Sequence, residues 1–285
     1  MKKTRKVGDS SVSAFFALVR WPNLLMIALT QFMVARFLID IPAEEFEPVW
    51  AVIASTVIVA AAGYMINDYY DVKIDYVNRP DSVIIGKYFS RRAVLFAHTL
   101  FNAVAIVLAG LYSWKQGGVI FFMAFCLWWY SNDLKRRPLG GNLMVAFLIG
   151  LSMMMMLLFS RNNEKWVFVY TFFAVFMTLI REILKDIEDM KGDASFGCRT
   201  LPVVYGLRPA RRLVKWLVLV FTAGLGVFAF RIGNGVVQVY FAVFVPLLLL
   251  FYMILAKADT KRDFGVLSRF SKVLMALGIL SMIFH

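Results

Sequence analysis

The stretch NDYYDVKIDYVNRP, Asn67 to Pro80, follows without a break on the apolar run AVIASTVIVAAAGYMI, residues 51–66. That run is continuous, uncharged and, with its flanks, long enough to cross a bilayer as a helix. Directly after it stand three aspartates, Asp68, Asp71 and Asp75. Spacings of three and four keep one face of a helix, because at about 100° per residue the three carboxylates fall within roughly 60° of arc. Carboxylates gathered at the edge of a hydrocarbon slab are costly unless something binds them.

The whole chain supports the membrane reading. Its 285 residues are 61% hydrophobic and 17% charged, against roughly 45–50% apolar and 25% charged in soluble domains. The apolar runs are continuous rather than alternating, which indicates helices and not a barrel. The basic N-terminus is followed by a long apolar segment with no small-residue cleavage site, so no cleavable signal peptide is expected. The fold class predicted is an all-α integral membrane protein, with about nine transmembrane helices in a bundle around a central cavity open to the cytoplasm. The segments are 15–38, 49–70, 92–113, 117–131, 141–160, 166–187, 212–231, 235–256 and 265–284.

Basic residues test that count. With a cytoplasmic N-terminus and alternating spans, 26 of the 31 Lys and Arg residues fall on inner segments. The exceptions are Arg36, Lys115, Arg161, Lys165 and Arg231. Such asymmetry follows the positive-inside rule. The net charge of +13 therefore reflects topology and attraction to anionic lipid, and not nucleic-acid binding. Cys126 and Cys198 suggest neither a disulfide nor a metal site, and His98 and His285 read as ordinary polar residues.

Downstream, KDIEDMKGD repeats the first pattern, with Asp186, Asp189 and Asp193 again spaced by three and four. It too sits at the inner end of an even-numbered span. The chain therefore reads as a single helical domain, residues 1–285, with an internal repeat of the aspartate motif around 67–80 and 185–199. Two such triads can face each other across a shared cavity, and empty they would repel. Divalent cations resolve the repulsion: Mg²⁺ prefers a few carboxylates, waters and substrate phosphate oxygens, which suits a diphosphate held through bridging metals. The bland alternative is a pair of solvated helix ends with local salt bridges. Direct cations for the diphosphate are on offer at Lys73, Arg79, Lys87, Arg91 and Arg92, at Lys135, Arg136 and Arg137, and at Lys185, Lys191 and Arg199.

These residues resemble a family. NDYYDVKID is similar to the N-D-x-x-D-x-x-x-D motif of the UbiA-type intramembrane prenyltransferases, and KDIEDMKGD to their second aspartate motif. RWPNLLM places Asn23 where these proteins carry an Asn, NRP supplies Arg79, and YSNDLK, with Tyr130, Ser131 and Lys135, resembles their Y-S-x-x-L-K element. RTLPVVYG, beginning at Arg199, resembles the segment after the second motif. The resemblance covers nearly the whole chain. One departure is DSVIIGK after NRP, where Ser82 replaces a common base and one residue is missing; Lys87 is the substitute.

The resemblance implies an Mg²⁺-dependent prenyltransferase. Asp68, Asp71, Asp75, Asp186, Asp189 and Asp193 are then the metal ligands. Asp71, Asp75, Asp189 and Lys135 are the residues on which catalysis depends. Asn23, Asn67, Arg79, Lys87, Tyr130, Ser131, Lys135 and Arg199 bind substrate. The metals and cations neutralise charge on the departing diphosphate, and apolar walls shelter an allylic cation. The Met run at 153–156 either lines the prenyl tunnel or packs helices. The segment REILKDIEDMKGD most resembles the branch that prenylates geranylgeranylglycerol phosphate, in ether-lipid synthesis. An aromatic acceptor such as 4-hydroxybenzoate or dihydroxynaphthoate is the second choice, and an ion-coupled transporter the remote one. Partners are then a prenyl diphosphate, a small-molecule or lipid acceptor and membrane lipid, with no nucleic acid and no obligate protein partner. The expected location is the cell membrane, multi-pass, with the N-terminus and active-site loops cytoplasmic.

Overall fold

The computed structural model describes residues 10–78, 80–160, 164–232 and 235–284. In chain order the α-helices are α1 (Ser11–Leu18), α2 (Trp21–Met33), α3 (Phe46–Asn78), α4 (Arg91–Tyr112), α5 (Trp114–Asn132), α6 (Gly140–Met154), α7 (Glu164–Ser195), α8 (Leu201–Tyr205), α9 (Leu207–Ile232), α10 (Gly235–Lys257) and α11 (Lys261–Leu280). No strand forms among the described residues beyond an isolated bridge between Ile85 and Phe89. Helices suit the bilayer because their backbone hydrogen bonds are all made within the segment.

Six stretches are long and apolar enough to cross a membrane: Trp21–Leu38, Ala43–Tyr76, Arg91–Tyr112, Gly140–Phe159, Lys165–Ser195 and Lys261–Phe284. The other three expected segments lie on α5, α9 and α10. Helices form there, but over the described residues they are not both long and apolar enough; on α10 the apolar stretch is Ala242–Lys257.

Two boundaries differ from expectation for physical reasons. The first predicted segment, 15–38, is broken between α1 and α2. Pro22 stands at the second position of α2; inside a continuous helix its ring would clash with the carbonyl four residues back. The chain turns instead through Arg20, whose backbone is left-handed at φ 52°. The second difference is length. With 33 residues α3 and with 32 residues α7 each run close to 50 Å at about 1.5 Å per residue, well beyond a hydrocarbon core of about 30 Å. The aspartate motifs therefore lie on the last turns of helices that outrun the apolar slab.

The helices group into two compact units, one holding α1 to α5 and reaching Lys135, the other holding α6 to α11 from Arg136. In the first, Ala14, Leu18, Val19, Ala61, Met65, Ile84, Ile85 and Val94 form a buried cluster. In the second, α7 is the hub: Phe173, Met177, Ile180, Ile183 and Leu184 pack with Val214, Phe221, Phe244, Phe251 and Phe264 from α9, α10 and α11. The start of α11 is set by a capping box in which Thr260 and Asp263 exchange hydrogen bonds, satisfying donors that a helix end leaves orphaned.

Candidate functional site

In the first unit the C-terminal turns of α3 present Asn67, Asp68, Asp71 and Asp75, all half-buried. Two cations from other elements meet them. Arg20 Nη2 donates to Asp68 Oδ1 at 2.8 Å, with its guanidinium 4.8 Å from the centre of the Tyr64 ring. Burial works against the Arg20 charge, but Asp68 outweighs it, together with Tyr64, Tyr130 and Asp75, and holds the guanidinium above its ordinary range. Asn23 Nδ2, one turn on from Arg20, donates to the Tyr64 hydroxyl at 3.2 Å. The break before α2 is thus what points both Arg20 and Asn23 at the face of α3 that carries the motif.

Lys135 arrives from the short 3₁₀ turn Leu134–Arg136 that follows α5. Its Nζ donates to Asp71 Oδ1 at 2.6 Å and to Asn67 Oδ1 at 3.4 Å. Both partners are enclosed, the lysine side chain 10% and the aspartate 16% exposed, so water screens this pair far less than a surface pair.

In the second unit α7 presents Asp186, Asp189 and Asp193, again half-buried. Asn142, near the start of α6, donates from Nδ2 to Asp186 Oδ2 at 2.8 Å. Lys261, at the start of α11, places Nζ 3.8 Å from Asp189 Oδ1. The Asp193 carbonyl accepts from the N–H groups of Phe196 and Cys198 at 3.2 and 3.0 Å and closes the helix end.

The structure thus gathers Asn23, Asn67, Asp68, Asp71 and Lys135, and in the other unit Asp186 with Asp189. Other predicted residues are engaged elsewhere. Lys87 is exposed in a turn made possible by Gly86 at φ 89°; its Nζ donates to the Pro80 carbonyl at 2.8 Å and lies 5.8 Å from the Tyr76 ring centre. Ser131 is buried and returns its hydroxyl to the Leu127 carbonyl at 2.9 Å. Arg199 is exposed with its N–H on the Arg136 carbonyl at 2.9 Å, whereas Tyr130 is half-buried and stays near enough to Arg20 to favour its charge. Arg79 lies outside the described residues. Sequence reasoning missed three members, Arg20, Tyr64 and Asn142. Arg20 sits inside the quoted RWPNLLM, where the Trp-Pro pair signals a helix start and hence an exposed corner; Asn142 follows the Gly-Gly pair that opens α6.

Among the described residues no three acidic, histidine or cysteine side chains converge closely enough to hold one ion. Mg²⁺ does not need three: it keeps several waters and takes one or two carboxylates plus substrate phosphate oxygens. The donor set fits that demand. It consists of hard carboxylate oxygens in pairs along each helix face, flanked by the amides of Asn67 and Asn142 and by cations suited to phosphate.

Comparison with known proteins bears on what such a face does. Residues 15–273 match the model of the UbiA prenyltransferase family. A digeranylgeranylglyceryl phosphate synthase from Methanopyrus kandleri is 36% identical over 82% of this chain and 86% of that protein. One from Methanosphaera stadtmanae is 39% identical, and there the match spans 57% of this chain and 60% of the relative. Among solved structures, one from work on digeranylgeranylglyceryl phosphate synthase in membranes superposes with a TM-score of 0.75 at 20% identity, over 96% of this chain and 98% of the other. A UbiA homologue from Archaeoglobus fulgidus bound to DMAPP and Mg²⁺ superposes with a TM-score of 0.71 at 15% identity, over 94% and 98% of the two chains.

Proposed function

The chain belongs to the UbiA prenyltransferase family, and on that premise we propose that it moves a geranylgeranyl group from its diphosphate to the free hydroxyl of geranylgeranylglycerol phosphate. The reading rests on one observation above all. The similarity to digeranylgeranylglyceryl phosphate synthases runs through most of the chain, and the aspartate faces of α3 and α7 both lie within it.

In this reading Asp68, Asp71 and Asp75 on α3, and Asp186, Asp189 and Asp193 on α7, hold Mg²⁺. When bound, the ion supplies positive charge to the oxygens of the departing diphosphate. Asn67 and Asn142 orient Asp71 and Asp186 through Lys135 and directly. Lys135 carries a mobile ammonium at the end of a flexible stem, able to turn from Asp71 to a phosphate oxygen. Arg20, with its fixed fork, positions Asp68 and offers further donors to phosphate. Arg79, Lys87, Tyr130, Ser131 and Arg199 are proposed as further substrate-binding residues on the family resemblance alone. The apolar interior keeps water from the allylic carbon while its bond to diphosphate breaks.

We further place the catalytic ends of α3 and α7 on the cytoplasmic side, with α5, α9 and α10 completing nine crossings. The two aspartate motifs are then an internal repeat within a single helical domain. The charge asymmetry of the loops supports this arrangement. An aromatic acid as acceptor is the second reading, since it too is an anion beside a basic rim.

A matrix assay tests the proposal. Purified protein with Mg²⁺ is given radiolabelled geranyl, farnesyl or geranylgeranyl diphosphate, paired with geranylgeranylglycerol phosphate, 4-hydroxybenzoate or dihydroxynaphthoate. A doubly prenylated glycerol phosphate, lost with EDTA, is the expected product. A prenylated aromatic acid in its place would overturn the acceptor assignment.

A further inference from the structure

The carboxylate stripe of α7 does not stop at Asp186. Glu182 stands four residues earlier, and its register falls inside the arc that Asp186, Asp189 and Asp193 define. It is 9% exposed and lies within the apolar stretch Lys165–Ser195, about 6 Å further from the helix end than Asp186. An ionisable group at such depth marks a functional site by default. Arg181 holds it, with Nη1 donating to Glu182 Oε1 at 2.6 Å.

Two neighbours on the same helix have donors that no protein group takes up. Thr178, one turn earlier on the same face, is 4% exposed, and its buried Oγ1 has no hydrogen-bond partner. The buried Nε of Arg181 likewise has none. Leaving buried polar atoms unmatched is costly unless a ligand matches them. At the matching register of α3, four residues before Asp68, stands Tyr64, whose hydroxyl accepts from Asn23. The two helices share the aspartate spacing, but at this register α3 carries a phenol, Tyr64, and α7 a carboxylic acid, Glu182, which is ionised and a proton acceptor at neutral pH where a phenol is not.

We propose that Glu182 is the proton acceptor for the acceptor alcohol, with Thr178 and Arg181 binding the polar end of that alcohol. This rests on the prenyl-transfer reading above and deepens it: the substrate class at this position is a hydroxyl-bearing anionic lipid. In the step, the bond from the prenyl C1 to the diphosphate oxygen breaks and its electron pair leaves with diphosphate. The hydroxyl oxygen forms the new ether bond to C1, and the hydroxyl proton passes to the Glu182 carboxylate.

The test uses Glu182→Gln in the full-length protein, with geranylgeranyl diphosphate, Mg²⁺ and geranylgeranylglycerol phosphate. Glu182→Gln is expected to lower kcat for transfer by about 10²–10⁴-fold, the usual contribution of a positioned general base. Its Kd for the Mg²⁺-dependent diphosphate should stay within about twofold of wild type, because the group serves the other substrate. If Glu182→Gln fails to fold, the double variant Arg181→Gln/Glu182→Gln replaces the ion pair by a neutral one, which folds where a lone buried charge does not, and the same loss is expected. Transfer within about threefold of wild type in either variant would overturn the inference. So would a loss of diphosphate binding that matches the loss of transfer. A wild-type protein that prenylates only the aromatic acids would instead overturn the acceptor reading itself, which separates the two failures.

Discussion

Arg20 shows how much can hang on one residue. It adopts a left-handed backbone at φ 52°, a conformation that costs a non-glycine residue on the order of 1–3 kcal/mol. That strain places its guanidinium on Asp68 and over Tyr64. Arg20→Ala leaves the Asp68 carboxylate, 17% exposed, without its cation. We expect a loss of about 1–3 kcal/mol in stability, read as a lowered Tm in detergent; an unchanged Tm would show that Asp68 is satisfied otherwise. Lys135→Ala should raise the KM for the diphosphate more than that for the acceptor, because its ammonium is held on the α3 motif by Asp71 and Asn67. An unchanged diphosphate KM would remove Lys135 from the site. At this scale the sequence was half legible. The aspartates and Lys135 announced themselves by spacing and motif. Arg20 and Asn142 did not, since a single Arg or Asn beside a helix start is indistinguishable from a topology charge or a cap until the partner across the fold is known.

The elements that matter most are α3 and α7, and their length is the point. Each runs through a long apolar stretch and on into its aspartates without a break, so the rigid rod that crosses the membrane also aims the carboxylates. That requires close neighbours. Gly278 on α11 admits α7 so tightly that a Cβ there would stand 2.5 Å from the Phe173 ring. Gly278→Ala should destabilise the second unit by about 1–3 kcal/mol through overpacking, visible as a lower Tm. Transfer activity per folded molecule should be little changed, since Phe173 is far along α7 from Asp186. A Tm equal to wild type would show that α11 can move away without loss. Hydropathy made these spans legible because hydrocarbon imposes an unambiguous 20-residue signal. It could not show that the helices continue through the motifs, because polar helix ends and polar loops look alike in composition. Nor could it show the break at Arg20, where the apolar run continues but Pro22 interrupts the backbone.

At the scale of the molecule, two units each carry one aspartate-bearing rod, and the proposed alternating topology assigns most of the loop cations to the cytoplasmic side. The proposed orientation predicts that a single cysteine replacing Lys87 in a cysteine-free background is labelled from the cytoplasmic side by an impermeant maleimide, and one replacing Glu44 from the other side. The reverse pattern would invert the topology. The central claim is that carboxylates on both rods serve a diphosphate through Mg²⁺. It is tested most directly by equilibrium binding of radiolabelled geranylgeranyl diphosphate to purified protein, with Mg²⁺ and with EDTA. The account predicts saturable binding in Mg²⁺ that EDTA abolishes; binding that is equally tight without the metal, or absent in both conditions, would contradict it.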